Sequence, residues 1–255
     1  MNDRWREIWR PEREGRRYGE VLFKRAVGDM PQMESSKAAA RRLKDHIRMG
    51  DHILDVGCGA GHYLASLRDA IGRTFQYTGM DATPIMIDYA RRAFEGESDV
   101  RFLEGDIFQI PFEDGAFDIV MCNNVLLHLP SIAVPLRELC RVARRRVLVR
   151  TLVGRRSFRI QEIHQPEEYD ADGTPAVASY FNIYSEAYVE RLLKDIAHAR
   201  TWKVKPDRDF SSEAITAERD LIDDETYDLT SMVGGYQVND YVLLPWCFVE
   251  IELRR

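Results

Sequence analysis

Ile53-Leu54-Asp55-Val56-Gly57-Cys58-Gly59-Ala60-Gly61-His62-Tyr63-Leu64-Ala65-Ser66-Leu67 decides the fold of this chain. A short apolar run enters a turn with glycine at every second position. A helical pattern follows at once, with Leu64, Leu67 and Ile71 on one face. Glycine at 57, 59 and 61 removes three side chains from a strand tip, which permits positive φ and close approach of a ligand to the backbone. Strand, turn and helix in that order form a setting for nucleotide-type ligands that a chance glycine cluster lacks.

The spacing is G-x-G-x-G, not the G-x-G-x-x-G of dinucleotide sites, and Asp55 precedes it by two positions. A carboxylate there repels a pyrophosphate and attracts an ammonium, so the loop fits a zwitterionic, phosphate-free ligand better than NAD. Three further signals follow in order. Asp81 ends Tyr77-Thr78-Gly79-Met80-Asp81, placed to accept from both ribose hydroxyls. Asp106 and Ile107 end Val100-Arg101-Phe102-Leu103-Glu104-Gly105-Asp106-Ile107, an acid for an exocyclic amine beside an apolar side chain for a ring. A fourth strand, from Phe117 to Cys122, runs into Asn123, Asn124 and His128.

This series resembles the class I S-adenosylmethionine (SAM) dependent methyltransferases, in particular the small-molecule, type 11/25-like branch. The resemblance is dense over roughly residues 50–152 and looser beyond. It implies SAM as cofactor and S-adenosylhomocysteine (SAH) as product. It places Asp55, Gly57, Cys58, Gly59 and Gly61 at the methionine part, Asp81 and Ala82 at the ribose, Asp106 and Ile107 at the adenine, and Asn123 near the sulfonium. The expected fold is α/β, a Rossmann-like doubly wound sheet. It is mostly parallel, has helices on both faces, and in this family its final strand is antiparallel.

Composition sets the bounds. At 255 residues, 45% hydrophobic and 31% charged, the chain reads as an ordinary globule, one α/β domain with insertions. No apolar run approaches the ~20 residues of a membrane span, and the first residues lack an apolar signal core, so a cytoplasmic location is expected. Cys58, Cys122, Cys140 and Cys247 are scattered, without a metal or disulfide spacing. A net charge of −6 argues against a general nucleic-acid binder. The charge is uneven: residues 137–159 carry nine arginines opposed only by Glu138, and residues 207–228 carry nine acids. The arginines read either as solvated faces paired with those acids or as holders of an anionic acceptor.

Residues 1–49 read as an N-terminal helical extension, packed on the body or closing over the site as a lid. Residues 50–255 read as the SAM-binding domain, with insertions near 153–182 and 210–238. Strands are expected near 52–56, 75–80, 100–103, 117–122, 146–152, 201–206 and 241–251. Helices are expected near 60–71, 83–95 and 131–143, from Ser185, and from a cap at Ser35 or Ser36 to about Met49. The acidic 210–238 reads as loop, and Pro245 as a bulge or edge position.

Methyl transfer from a sulfonium is an in-line displacement, in which the protein aligns the acceptor and takes up its proton. His128, shortly after the fourth strand, is the first candidate base, and His164 on the 153–182 insertion the second. Tyr18 and Tyr180 read as packing aromatics, and His62 as a contact of cofactor or solvent. No metal site is expected, since the acids and histidine of 162–172 have no fixed ligand spacing. Asn123-Asn124-Val125-Leu126 lacks the prolines and aromatic expected of a DNA amino-methyltransferase. The expected function is methylation of an oxygen, with nitrogen next, on a small metabolite or sugar derivative, by a monomer or homodimer. A protein or RNA methyltransferase and a non-catalytic SAM-binding partner subunit are the rivals.

Overall fold

The computed structural model describes residues 14–72, 75–163, 169, 171–173, 178–221, 230–239 and 242–254. Two helices come first, α1 (Glu14–Val27) and α2 (Glu34–Leu43). The alternating body follows as β1 (His52–Val56), α3 (His62–Ile71), β2 (Gln76–Asp81), α4 (Pro84–Ala93), β3 (Val100–Glu104), β4 (Phe117–Asn123), α5 (Ala133–Val142) and β5 (Ala143–Gly154). Then come a small hairpin, β6 (Gln161–Ile163) with β7 (Ala178–Tyr180), the short β8 (Tyr184–Ser185), α6 (Glu186–Lys194) and β9 (Ala199–Pro206). The chain continues with α7 (Ser212–Leu221), β10 (Ser231–Val233), β11 (Tyr236–Asn239), β12 (Val242–Leu243) and β13 (Trp246–Leu253).

The main sheet has the order β3-β2-β1-β4-β5-β13-β9. β1 to β5 pair in parallel, and β13 lies antiparallel between β5 and β9. The two faces follow from the period of two along each strand. Leu54, Val56, Val120, Cys122, Val147 and Val149 join the core on the α5 and α6 side. Ile53, Ile119, Met121 and Leu148 join the core that holds Ala38, Ala39 and Leu43 of α2 and Leu64 and Leu67 of α3. Strand order reverses between β1 and β4, so the crevice for a ligand lies beyond their carboxyl ends.

Three expectations are corrected. The helix expected to reach Met49 ends at Leu43, and neither serine caps it: the N-cap is Met33. Ser36 Oγ instead lies 2.8 Å from Ser66 Oγ, and Ser35 accepts from Tyr63, so tertiary partners take both hydroxyls. The 210–238 stretch is not plain loop, since α7 and the hairpin of β10 and β11 occupy most of its described part, and β12 just beyond it adds a third strand. The final strand is two pieces, β12 and β13, broken at Pro245, whose missing N–H ends the ladder.

Candidate active site at the strand ends

The glycine loop is built as its spacing requires. Gly57, Gly59 and Gly61 have φ of 78°, 53° and 79°. A Cβ at 57 would stand 2.2 Å from Val125 Cγ2, and one at 61 would stand 2.8 Å from the Phe94 ring. Gly57 and Cys58 donate to the Met80 carbonyl at 2.7 and 3.1 Å, which pins the loop to the end of β2. α1 lies on top: a Cβ at Gly59 would meet Leu22 at 2.9 Å, and Leu22 packs with Ala60, Met86 and Tyr89.

Asp81 organises this end. Its Oδ2 accepts from Gly59 N–H and its Oδ1 from Thr83 N–H, both at 2.9 Å. One carboxylate thus ties the loop to the start of α4, and each oxygen keeps a lone pair for a ligand hydroxyl. Burial raises its pKa, against the lowering effect of those two N–H bonds. Asp55 is 1% exposed and accepts from Tyr77 Oη at 2.6 Å. Burial pushes its carboxyl up to about 7, with the Tyr77 hydroxyl opposing and the Asp81 charge adding to the rise. A buried acid at that value is half-ionised near neutrality and is drawn into its charged form by a neighbouring ammonium.

Asn123 ends β4, level with Gly57, each two residues beyond the Asp55–Met121 pair of the β1–β4 ladder. It is 5% exposed, and neither its Nδ2 nor its Oδ1 has a hydrogen-bond partner among the described residues. A buried carboxamide with nothing to bond is costly unless a ligand completes it. Together with Asp55 and Asp81, it makes this strand end fit a group bearing an ammonium, a ribose and polarised C–H groups next to a sulfonium. On the adenine side, Asp106 is half-buried and its Oδ1 accepts from Phe108 N–H at 2.9 Å, beside the buried Ile107. Cys58 is buried in the loop, and Ala82 is exposed just beyond Asp81.

His128 closes the turn Leu126–His128. The return of the 153–182 insertion pins that turn: Asn182 donates to the Leu127 and Leu129 carbonyls, and Tyr184 Oη to the Leu126 carbonyl. The His128 Nδ1 is 3.0 Å from the Tyr180 carbonyl, which can only accept, so the bond fixes the Nδ1–H tautomer and leaves the lone pair on Nε2. Burial pulls its pKa down to about 4, with the bond to Tyr180 opposing. An apolar wall stands next to it. Leu127, Leu152 and Leu244 form that wall, with Phe181, Ile183, Val242 and Trp246 around them, and Phe181 meets the His128 ring edge-on at 5.7 Å. His62 is buried under α1 and lowered to about 3 by burial and the Arg25 charge, so it faces protein, not solvent. His164 lies outside the described residues.

Five of the nine arginines of the run pair with carboxylates of the protein itself, and Arg159 donates to the Pro130 carbonyl over the Tyr180 ring. Arg141 bonds Glu138 and Asp114, Arg144 bonds Asp118, Arg145 bonds Asp51, Arg146 bonds Glu252 and Arg150 bonds Asp207. Sequence reasoning missed one consequence: Arg150 is a buried member of a polar network at the site, with Asn124 and Asp207. The signal was a single arginine inside the apolar run Val147 to Val153. Among the described residues no three His, Cys, Asp or Glu side chains converge as a metal would require. No helix among them is long and apolar enough to cross a membrane.

Known proteins share this architecture. A methyltransferase from Haloferax volcanii, solved in complex with the Trm112 methyltransferase activator, covers 100% of both chains at a TM-score of 0.62 and 18% identity. Magnesium protoporphyrin IX methyltransferase from Synechocystis PCC 6803, solved with bound SAM, covers 99% of this chain and 90% of its own, at a TM-score of 0.53 and 16% identity. The fold is therefore that of the class I SAM-dependent methyltransferases. Residues 54–149 match the family described as methyltransferase domain, which fits the SAM-dependent fold. Demethylmenaquinone methyltransferase from Staphylococcus aureus is 35% identical over 103 residues, 40% of this chain and 43% of that enzyme. The match thus spans less than half the length of these curated relatives.

Proposed function

We propose that this protein transfers the methyl group of SAM to an oxygen, with nitrogen next, of a small molecule. The observation that carries the reading is the unpartnered carboxamide of Asn123, buried at the strand end level with Gly57. When bound, SAM supplies the electrophilic methyl and its own leaving group. Asp55 holds the ligand ammonium, Asp81 the ribose diol, and Asp106 with Ile107 the adenine. Asn123 offers its carbonyl to the polarised groups beside the sulfonium, and α1 keeps water from the glycine loop.

His128 orients the acceptor by taking a hydrogen bond at Nε2. An imidazole held near 4 is a weak base toward an alcohol. An oxygen that has gained a methyl group is strongly acidic, however, and gives its proton to such a base downhill. His164 is the second candidate for this part. The apolar wall beside His128 favours an apolar acceptor, with the exposed Arg159 over Tyr180 as a nearby cation for an anionic group on it. A second reading, action together with a partner protein, draws on the whole-chain likeness to the Haloferax methyltransferase solved with an activator.

Calorimetric titration of the ligand-free chain with SAH and with NAD tests the cofactor reading. SAH is expected to bind and NAD not to. Absence of SAH binding by the folded chain refutes it. In an acceptor screen, His128→Ala is expected to keep SAH affinity and lose turnover, and an undiminished rate removes His128 as the base.

A further inference from the structure

Asn124 is the one non-glycine residue with positive φ among the described residues, at 60°. L-residues adopt that conformation at a cost, and asparagine tolerates it best because its side chain bonds locally. Here the side chain bonds across the fold. Its Oδ1 accepts from Arg150 Nη1 at 2.6 Å, its Nδ2 lies 3.4 Å from Tyr63 Oη, and its backbone N–H donates to the Arg150 carbonyl at 2.9 Å. Arg150 in turn donates through Nε to Asp207 Oδ2 at 2.7 Å, and its guanidinium lies 4.0 Å over the Trp246 ring. The pair is enclosed, with side-chain exposures of 4% and 1%. Asp207 is fixed by donating its own N–H to the Trp246 carbonyl at 2.8 Å.

A buried ion pair is weak evidence for stability, because desolvation offsets its attraction. What this one does is hold a strained residue between two that face the site. Asn123, just before, presents the unpartnered carboxamide, and Val125, just after, fills the space above Gly57. We infer that Arg150 and Asp207 are positioning residues: through the Asn124 side chain they fix the kink that sets Asn123 and Val125 against the methyl-donor end of the cofactor. The planar guanidinium suits this work, since it bonds a carboxylate on one edge and an amide on another while stacking on an indole. The inference rests on reading this strand end as the cofactor site. Failure of the wild-type chain to bind SAH overturns both, whereas the comparison of variants below bears on the positioning alone.

The test is calorimetric SAH affinity of the full chain, with melting temperatures taken in parallel. Asn124→Ala and Asn124→Gly both remove the carboxamide, but only alanine resists positive φ. Asn124→Ala is expected to bind SAH about fivefold or more weaker than Asn124→Gly. Arg150→Met is expected to cost about tenfold in the native background and under about threefold in the Asn124→Gly background, where the kink no longer needs holding. Equal affinities for the alanine and glycine variants overturn the inference. So does an Arg150→Met loss that is the same in both backgrounds, because a merely structural arginine lowers the melting temperature without such coupling. If Arg150→Met does not fold, the Asn124 pair alone decides, since it leaves Arg150 and Asp207 in place.

Discussion

Asp51 and Asp55 are four residues apart, both buried, at opposite ends of one strand, and they live by different rules. Asp51 accepts from Arg48 N–H at 2.7 Å and from the Arg145 guanidinium at 2.5 Å. Its neighbours repeat the pattern, with Arg144 on Asp118 and Arg146 on Glu252. At the carboxyl end of the sheet, Asp55 has the Tyr77 hydroxyl and no ion pair among those described, and the Asn123 carboxamide has no partner among the described residues. One end of the sheet satisfies its charges internally and is finished. The other leaves buried polar groups incomplete, which a protein tolerates where a ligand completes them.

The sharpest way to break this contrast is Asp81→Ala. It is expected to weaken SAH binding by about a hundredfold and to destabilise the fold by about 3 kcal/mol, because Gly59 and Thr83 N–H both lose a charged acceptor. Calorimetry and thermal melts read the two effects. Unchanged SAH affinity removes the ribose assignment.

Asp55→Asn comes next, with a loss of about tenfold in SAH affinity above pH 7. In the native protein affinity should rise as pH climbs toward about 7 and then level off, since the ammonium needs the ionised form. The contribution of Asp55 to the stability of the ligand-free chain moves the other way, against that of the buried His62 and His128, whose lowered pKa values favour the fold increasingly as pH rises toward about 6.5. The folded carboxyl holds its proton more tightly than the unfolded one, so this contribution falls as pH rises from about 4 to about 7 and is flat beyond. The asparagine variant should flatten the affinity profile and make stability climb more steeply with pH than in the native protein, and melt profiles of the same slope remove Asp55 as the titrating group.

At the finished end, Arg145→Ala should cost about 2 kcal/mol by leaving Asp51 with one donor, while SAH affinity stays within about twofold. A large change in affinity would mean the two ends are coupled. Smallest of all, Arg144→Ala removes a half-exposed pair and should shift stability by no more than about 0.5 kcal/mol. A larger drop in denaturant midpoint would mean that the surface pairs act as a network.

The fold was legible because its signals are local. Short apolar runs in β1, β4 and β5, the glycine spacing, and Pro84 at the first turn of α4 each sit within a few residues. Asp55, Asp81 and Asn123 were legible as strand-end positions for the same reason. What escaped depends on distance along the chain. Arg150 meets Asn124 across 26 residues and Asp207 across 57, and no pattern in either neighbourhood announces the other. α7 was hidden because its acidic composition resembles a loop. Ser35 looked like a cap until Tyr63, 28 residues on, claimed its hydroxyl. The tautomer of His128 hangs on a carbonyl 52 residues away.

The burial of the Asp55 carboxyl has a thermodynamic reach beyond geometry. A carboxyl that gives up its proton when an ammonium arrives makes the solvent buffer a reactant in cofactor binding. Below pH 7, the heat of SAH binding should therefore differ between phosphate and an amine buffer by the proton's share of their ionisation enthalpies. The difference should vanish in alkaline solution, where Asp55 has no proton left to release.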